Sequence, residues 1–186
     1  MGGKMATILE TKAFTYDELS QDAQKKVYED WRNAELEFGI EFRMHDDFEN
    51  FKSFISVYDC ELSDWCLSYD GHPRDYINFS GELEMKGQDL INHLETCNKL
   101  ARNGDYPSDS LVDFIELHIE DWSTDDLNLG DVLQAIGQKF IELWHDEIEY
   151  QLSEEAFNDL YLYQDDLYFD VEGNQITNYT NVKGVA

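Results

Sequence analysis

The feature that most constrains this chain is the acidity of residues 105–172. This stretch holds twenty carboxylates and one basic residue, Lys139, so it accounts for −19 of the formal net charge of −28. Carboxylates one helical turn apart destabilise a helix by about 0.2–0.5 kcal/mol per pair, and a compensating core is therefore needed. Aromatic and aliphatic residues interleaved with the acids supply it. The stretch is predicted to be a folded acidic surface and not a disordered acidic tail.

The composition predicts one compact domain. The chain has 186 residues, 42% hydrophobic and 14% aromatic, with two prolines and no Gly/Ser-rich or Pro-rich linker. We therefore expect a single acidic domain over residues 1–186. Residues 1–4, which precede a second methionine at Met5, are expected to be an expression scar.

Charge and cysteine usage point to a cytoplasmic protein. No apolar run approaches the ~20 residues that span a bilayer, and no signal peptide is evident. Cys60, Cys66 and Cys97 are odd in number and lack zinc-type spacing, as expected for reduced thiols. A sequence pI near 4.1 predicts repulsion from DNA, RNA and anionic membranes, and attraction to basic surfaces. No direct membrane binding is expected.

The apolar periodicity predicts an α+β fold in which helices pack on a small antiparallel sheet. Helical spacing favours helices from the caps at Thr15 and Ser20 to about residue 38, ending at Gly39, and over 44–55, 88–102, 127–151 and 154–163, the last capped by Ser153. In the first of these helices the predicted inward stripe is Ala23, Val27, Trp31, Ala34 and Phe38, and Leu100 is predicted to be inward in 88–102. Alternation favours a hairpin of strands 65–70 and 76–84 around a turn at 71–75. Residues 111–122 fit either a helix or a strand, and the alternation of Ile115, Leu117 and Ile119 favours a strand.

No motif indicates catalysis, a metal or a cofactor. The five histidines show no HExxH or paired Cys/His spacing, and there is no GxSxG, P-loop or Gly-rich dinucleotide turn. Cys60 or Cys66 is better explained as a small apolar residue than as a nucleophile, because no neighbouring cation would lower its pKa. We expect a protein that is not an enzyme, without catalytic, cofactor-binding or metal-binding residues.

The carboxylates instead suggest a binding surface. Acids three or four residues apart on a helix stand about 5–6 Å apart, comparable to successive phosphates of a nucleic-acid strand. A merely solvated acidic face is the alternative interpretation. The candidate partner-binding residues are Asp109, Asp113, Glu116, Glu120, Asp121, Asp125, Asp126, Asp146, Glu147, Glu149, Glu154, Glu155, Asp165 and Asp166.

Four blocks of the sequence resemble a group of small acidic proteins from phages and prophages. FTYDELSQDAQKKVYEDW at 14–31 is similar to that group's DELS-x-x-A opening. The hairpin at 65–81, IELWHDEIEYQLSEEAFNDL at 141–160 and FDVEGNQI at 169–176 resemble three further blocks. Within the group, the chain looks most like type II anti-CRISPR proteins, which inhibit Cas9.

The resemblance implies a phage-encoded anti-defence protein of the bacterial cytoplasm, whose partner is a host defence nuclease. Cas9 loaded with its guide RNA is the first candidate for that partner. Cas9 holds nucleic acid in positively charged channels that an acidic protein could occupy. Two alternatives stay open. One is a DNA mimic that inhibits a restriction enzyme or another DNA-binding enzyme. The other is a nucleotide-signal sponge, for which Arg43, Arg74 and Arg102 are the available basic residues.

Overall fold

A computed structural model describes residues 12–69, 74–103, 109–119, 122, 127–163 and 167–177 of the chain. For residues 41–43, 103 and 109 it describes the backbone alone. Helices and a two-stranded antiparallel sheet make up the described part, which confirms the predicted α+β class. The chain divides into two compact units, Met1–Glu35 with Gln151–Ala186, and Leu36–Tyr150. The domain bounds 1–186 stay a prediction.

The elements in chain order are a 3-10 turn at Tyr16–Glu18, α1 at Gln21–Ala34, a π-helical segment at Glu35–Gly39, α2 at Ile40–Ser56, β1 at Cys60–Cys66, β2 at Tyr76–Gly81, α3 at Gly87–Asn103, α4 at Asp109–His118, α5 at Leu129–Gln151, α6 at Glu154–Ala156 and a second π-helical segment at Phe157–Leu162. The predicted start signals hold. The Ser20 hydroxyl accepts a hydrogen bond from the Ala23 amide at 3.3 Å, and the Ser153 hydroxyl accepts one from the Ala156 amide at 3.1 Å.

The first unit is organised around Phe157. Its ring lies 5.1–5.4 Å from the rings of four aromatic residues, as edge and stacked contacts. These residues are Tyr16, Tyr28, Trp31 and Tyr161. The closing turn of this unit requires Gly173, which has φ +83 and whose added Cβ would stand 2.7 Å from the Ala23 carbonyl oxygen.

The second unit packs its hairpin on α5. β1 pairs with β2 in register from Cys60 opposite Gly81 to Cys66 opposite Tyr76, with an irregularity between Leu62 and Asp64. Ile77 and Phe79 point inward, as their alternation predicts. Gly137 lets α5 approach them, since a Cβ there would meet the Phe79 ring at 3.1 Å. The absence of a side chain at this position therefore sets how closely the sheet sits on the helix.

The core of the second unit joins α2 and α5 through aromatic rings. Phe51 and Phe140 stack with centroids 3.9 Å apart and an interplanar angle of 10°. Trp144 lies 5.9 Å from Phe140, and its indole Nε1 donates to the Ser68 carbonyl oxygen at 3.1 Å. Burying rings of this size provides most of the driving force that holds such elements together.

Three predictions about elements are wrong. Residues 109–118 form a helix and not a strand, because Leu111, Val112 and Ile115 are buried at helical spacing while Leu117, needed inside by the strand, is 77% exposed. The first strand runs from Cys60 to Cys66, so it begins five residues before the predicted start and ends four residues before the predicted end.

The third error concerns the predicted stripe of the first helix. Ala34 is exposed and Phe38 is 71% exposed, although both were predicted to be inward. Phe38 lies in the π-helical segment, whose extra residues per turn shift the register of the apolar positions. On α3, Leu100 is likewise 57% exposed where an inward position was expected, and Asn98 and Ala101 are buried in that turn. Residues 71–73 of the predicted turn at 71–75 lie outside the described residues.

Candidate protein-binding surface

The structure places eight of the candidate acids on helices. Asp109, Asp113 and Glu116 belong to α4, Asp146, Glu147 and Glu149 to α5, and Glu154 and Glu155 to α6. Glu120, Asp121, Asp125, Asp126, Asp165 and Asp166 lie outside the described residues. The six on α4 and α5 belong to the second unit, which therefore carries the surface that can be built from its residues upward.

One exposed face of α5 presents a row of carboxylates, called the α5 row here: Glu142, Asp146 and Glu149. They stand four and three residues apart, so they project from the same side of the helix. All three are exposed, while Phe140 and Trp144 on the opposite side are buried. A deeply packed helix therefore holds the negative charges in fixed relative positions.

The α5 row differs by one exchange from the row predicted on this helix, Asp146, Glu147 and Glu149. Glu147 is half-buried and turns toward a cavity instead of joining Asp146 and Glu149. Glu142 takes its place, and the i, i+4, i+7 spacing would have identified it from the sequence. Glu142 accepts a hydrogen bond from the Lys139 ammonium at 3.1 Å. Within the described residues, Asp146 and Glu149 form no ion pair.

The acids of α4 are compensated within the chain. Arg102 on α3 donates from Nη2 to Asp113 Oδ1 at 2.6 Å and to Glu116 Oε2 at 2.7 Å, and from Nε to Glu116 Oε1 at 3.0 Å. This forked contact lowers the pKa of Glu116 and raises the pKa of Arg102. Two of the predicted binding residues thus share one cation before any partner arrives.

A cavity of about 240 Å³ opens between α2, α4 and α5 in the second unit. Its walls are largely apolar, and two carboxylates, Asp47 and Glu147, stand among the lining residues. Burial and then the Glu147 charge raise the pKa of Asp47. The full lining is Met44, Asp47, Asn50, Phe51, Ser110, Leu111, Phe140, Leu143, Trp144 and Glu147.

A second cavity, of about 260 Å³, shares Trp144 with the first and is lined by further rings, among them Phe48, Trp65 and Tyr69. Trp65 is 43% exposed. The Lys52 ammonium lies 5.0 Å from the Phe48 ring centroid and 5.4 Å from that of Trp65. This internal contact shows that the exposed aromatic faces of α2 and β1 attract a cation.

A buried carboxylate fixes the end of the hairpin against α5. The Asp75 side chain is only 2% exposed and accepts hydrogen bonds from the Ser68 amide at 3.1 Å and the Ser68 hydroxyl at 2.9 Å. His145 Nε2 contacts its second oxygen at 2.8 Å. No sequence pattern indicated this cluster, because Asp75 and His145 are 70 positions apart.

Of the two cysteines interpreted as small apolar residues, Cys60 is buried and fits, as does Cys97, whereas Cys66 is exposed. Burial raises the pKa of Cys97 to about 11 and also raises the pKa of Cys60, so neither forms a thiolate readily at neutral pH. Cys97 Sγ donates to the Val57 carbonyl oxygen at 3.1 Å. Within the described residues no group of three or more His, Cys, Asp or Glu side chains is placed to hold a metal ion.

The fold and surface define an α+β protein with exposed acids on a rigid helix. Comparisons of the chain with protein-family models, with curated proteins and with solved structures gave no match. Among the described helices, none combines the length and the apolar character that crossing a bilayer requires.

Proposed function

We propose that this protein is a non-catalytic inhibitor that binds the basic nucleic-acid channel of a bacterial defence nuclease, with guide-loaded Cas9 as the first target. The observation that supports it is the α5 row, in which Asp146 and Glu149 stand exposed on a helix anchored by Trp144. The choice of Cas9 rests on the sequence resemblance to phage anti-CRISPR proteins.

The mechanism is electrostatic competition for the channel. Carboxylates about 5–6 Å apart on one helix face approximate the charge repeat of a nucleic-acid strand, so they can pair with the Lys and Arg side chains that hold phosphates. The net charge of −28 speeds the encounter with a basic surface, and added salt slows it. Inhibition should therefore weaken as ionic strength rises.

The rigid scaffold explains why a folded domain can do this better than an acidic tail. An acidic tail loses conformational entropy on binding, whereas charges on a packed helix are already positioned. The buried side chains of Phe140 and Trp144 hold one side of α5. At its start, the Asp131 carboxylate accepts a hydrogen bond from the backbone amide of Asn128 at 2.9 Å, and the Asn128 side-chain oxygen accepts one from the backbone amide of Asp131 at 3.0 Å.

The test is DNA cleavage by guide-loaded Cas9 with wild type, with Asp146→Lys/Glu149→Lys, and with a control of equal charge change, Glu61→Lys/Glu95→Lys. Glu61 and Glu95 are exposed on β1 and α3, away from the predicted acidic stretch. We expect the α5 variant to lose inhibition by about tenfold or more, since close charge pairs couple by ~1.5 kcal/mol or above. Equal inhibition by both folded variants would reject this surface.

A panel of restriction and recombination enzymes separates a Cas9 inhibitor from a general DNA mimic, which inhibits several of them. The nucleotide-sponge alternative has less support in the described part. Arg102 is engaged by Asp113 and Glu116, and no Lys or Arg lines either cavity of α2 and α5 there. Mass spectrometry of small molecules released from the purified protein tests it directly.

A further inference from the structure

The hairpin of β1 and β2 leaves one edge of each strand without a neighbouring strand. Within the described part of the chain the two strands form the entire sheet, so each pairs on one side only. Residues 76–80 of β2 make no backbone hydrogen bond outside the ladder with β1 in that part of the chain. Alternate N–H and C=O groups of β2 therefore face away from β1, and groups of this kind are a template for a further strand.

The sequence of β2 lacks the features by which proteins protect a free edge. Its six residues, YINFSG, include no charged residue and no proline, and six residues is an ordinary strand length. Tyr76, Asn78 and Ser80 form an exposed row, while Ile77 and Phe79 between them are buried against α5. One face of β2 therefore anchors the strand, and the exposed row remains accessible.

β1 is the less accessible of the two strands. Its pairing is irregular between Leu62 and Asp64, and irregularities of this kind interrupt an edge. Helix α2 packs against β1, since the Phe48 ring lies 5.4 Å from the ring of Trp65. The edge of the hairpin that can receive a further strand is therefore the edge of β2.

The side chains around this edge indicate the chemistry of a strand that would bind there. On the exposed face of the hairpin, Glu61 lies opposite Ser80 and Asp64 lies opposite Asn78, and the two strands contain no Lys or Arg. A strand beside β2 would stand about 4.8 Å from it, so long Lys or Arg side chains on that face would extend over β2 toward these carboxylates. The intervening side chains would continue the buried row of β2, where apolar residues are favoured.

The charge balance favours a basic partner over a second copy of this chain. Exposed Arg74 lies two residues before β2, but exposed Glu82 and Glu84 follow the strand, and Glu61 and Asp64 lie across the hairpin, so the surroundings are net negative. Pairing two copies edge to edge would bring these like charges together, on chains that each carry −28. The same charges attract an extended segment with positive side chains.

We propose that the free edge of β2 binds an extended segment of a partner protein as a third strand, with Lys or Arg side chains over the exposed face of the hairpin and apolar side chains on the inner face. Main-chain hydrogen bonds to residues 76–80 supply the affinity, and the alternation of basic and apolar side chains supplies the specificity. The inference goes beyond the proposed function, because neither the site nor its test depends on a nuclease or on the α5 row.

The test is NMR titration of the isolated protein, at about 0.15 M salt, with six-residue peptides blocked at both ends. The probe peptide alternates lysine and valine. One control peptide has three lysines followed by three valines, and the other alternates glutamate and valine. We expect the probe to bind with a Kd on the order of 0.1–1 mM, and each control to bind at least about fivefold more weakly.

The position of binding is read from the same spectra. Amide shifts caused by the probe should centre on residues 76–81, and hydrogen exchange of alternate amides in β2 should slow, because these amides become donors to the added strand. Shifts that centre on Asp146 and Glu149 instead would show that the peptide is held by the α5 row, and they would overturn the proposal.

A pair of matched variants tests the edge from the protein side. Asn78→Lys places a positive charge in the exposed row of β2 and should weaken probe binding about threefold to fivefold, through repulsion of the lysines beside it. The control is Asn92→Lys, the same substitution at an exposed position of α3, which should weaken binding less than about twofold. Backbone spectra confirm that both variants fold, and the comparison of the three peptides on wild type is independent of them.

No saturable binding of the probe, equal binding of either control peptide or equal effects of the two substitutions would each overturn the proposal. Sedimentation of the protein alone tests the second copy: a dimer that Asn78→Lys dissociates would assign the edge to self-association and would overturn it as well. Binding of the probe at β2 as expected supports the proposal even if no nuclease in the panel is inhibited, so this inference and the proposed function fail separately.

Discussion

Helices α4 and α5 both carry acids three and four residues apart, but they differ in whether those acids are neutralised by a neighbouring cation. On α4, Asp113 and Glu116 are held by the Arg102 guanidinium at 2.6–3.0 Å. On α5, Asp146 and Glu149 form no ion pair with any described residue. The difference arises from the neighbouring element, since α4 packs beside α3 and its arginine.

The comparison shows that carboxylate count and carboxylate availability are different properties. Sequence reasoning gave both helices equal weight as binding surface. A partner that competes for Glu116 must first displace its two hydrogen bonds from Arg102, and one that competes for Asp113 must displace a third, whereas Asp146 has no ion pair with a described residue to lose. We therefore rank α5 above α4 as the binding helix, and the four predictions that follow test this ranking.

The first prediction, with the largest expected effect, concerns the stability contributed by Trp144, the buried residue that anchors α5. Trp144→Ala should lower the free energy of unfolding by about 3–5 kcal/mol, because it empties a buried site among Phe48, Phe140 and Tyr69. Urea denaturation followed by circular dichroism measures it. If binding depends on rigid display, inhibition should fall in parallel with the loss of structure.

The matched control on α4 is Leu117→Ala. Leu117 is exposed, so the change should alter stability by no more than about 0.5 kcal/mol. A large loss at Leu117, or none at Trp144, would contradict the packing on which the comparison depends.

Much of the α5 side of the comparison was predictable from the sequence. The spacing of Val132, Ile136, Phe140 and Trp144 marks one buried face, and all four are buried. The exposed acids then fall on the remaining faces by geometry. Local periodicity suffices for a long amphipathic helix, because its inward side depends little on which element covers it.

The α4 side was not predictable, for two physical reasons. Residues 111–122 match both the helical and the strand period, the alternation favoured the strand, and only the tertiary environment places Leu117 outside. The neutralising contact joins Arg102 on α3 to residues 11 and 14 positions away on α4. Long-range pairs such as this one, and Asp75 with His145, leave no periodic trace in a single sequence.

The second prediction compares the helices directly by neutralisation. Asp146→Asn/Glu149→Gln should weaken binding to the basic partner about tenfold, whereas Asp113→Asn/Glu116→Gln should weaken it about twofold or less, because the latter pair is already compensated. Both variants lose two negative charges, so each controls for net charge in the other. Isothermal titration against the inhibited nuclease measures both, and equal losses would end the distinction between the helices.

The third prediction concerns the pH dependence conferred by Arg102. Its hydrogen bonds lower the folded-state pKa of Glu116, so their stabilising effect is present above the ordinary Glu value of about 4.3 and is lost as the pH falls through the lowered value. Arg102→Gln should therefore reduce Tm at pH 6, and its difference from the wild-type Tm should shrink as the pH falls below the ordinary Glu value.

Comparison of Arg102→Gln, Glu116→Gln and the double variant isolates the pair, because the two changes should be less than additive at pH 6 and should approach additivity as Glu116 becomes protonated at acidic pH. A pH-independent difference between wild type and Arg102→Gln would show that the contact does not restrain the α4 acids. Freed from Arg102, these acids should also bring α4 closer to α5 in partner affinity.

The smallest effect is expected within the α5 row itself. Lys139→Ala removes the 3.1 Å contact to Glu142 and leaves three uncompensated carboxylates on one face. Loss of the exposed Lys139–Glu142 ion pair should lower the free energy of unfolding by about 0.2–0.5 kcal/mol. Affinity for a basic partner should rise, because the positive charge near Asp146 is removed. Opposite signs in thermal denaturation and in partner titration are the expected result. A variant that loses both stability and affinity would contradict the proposal. It would mean that Lys139 contributes to partner binding and does not merely neutralise Glu142.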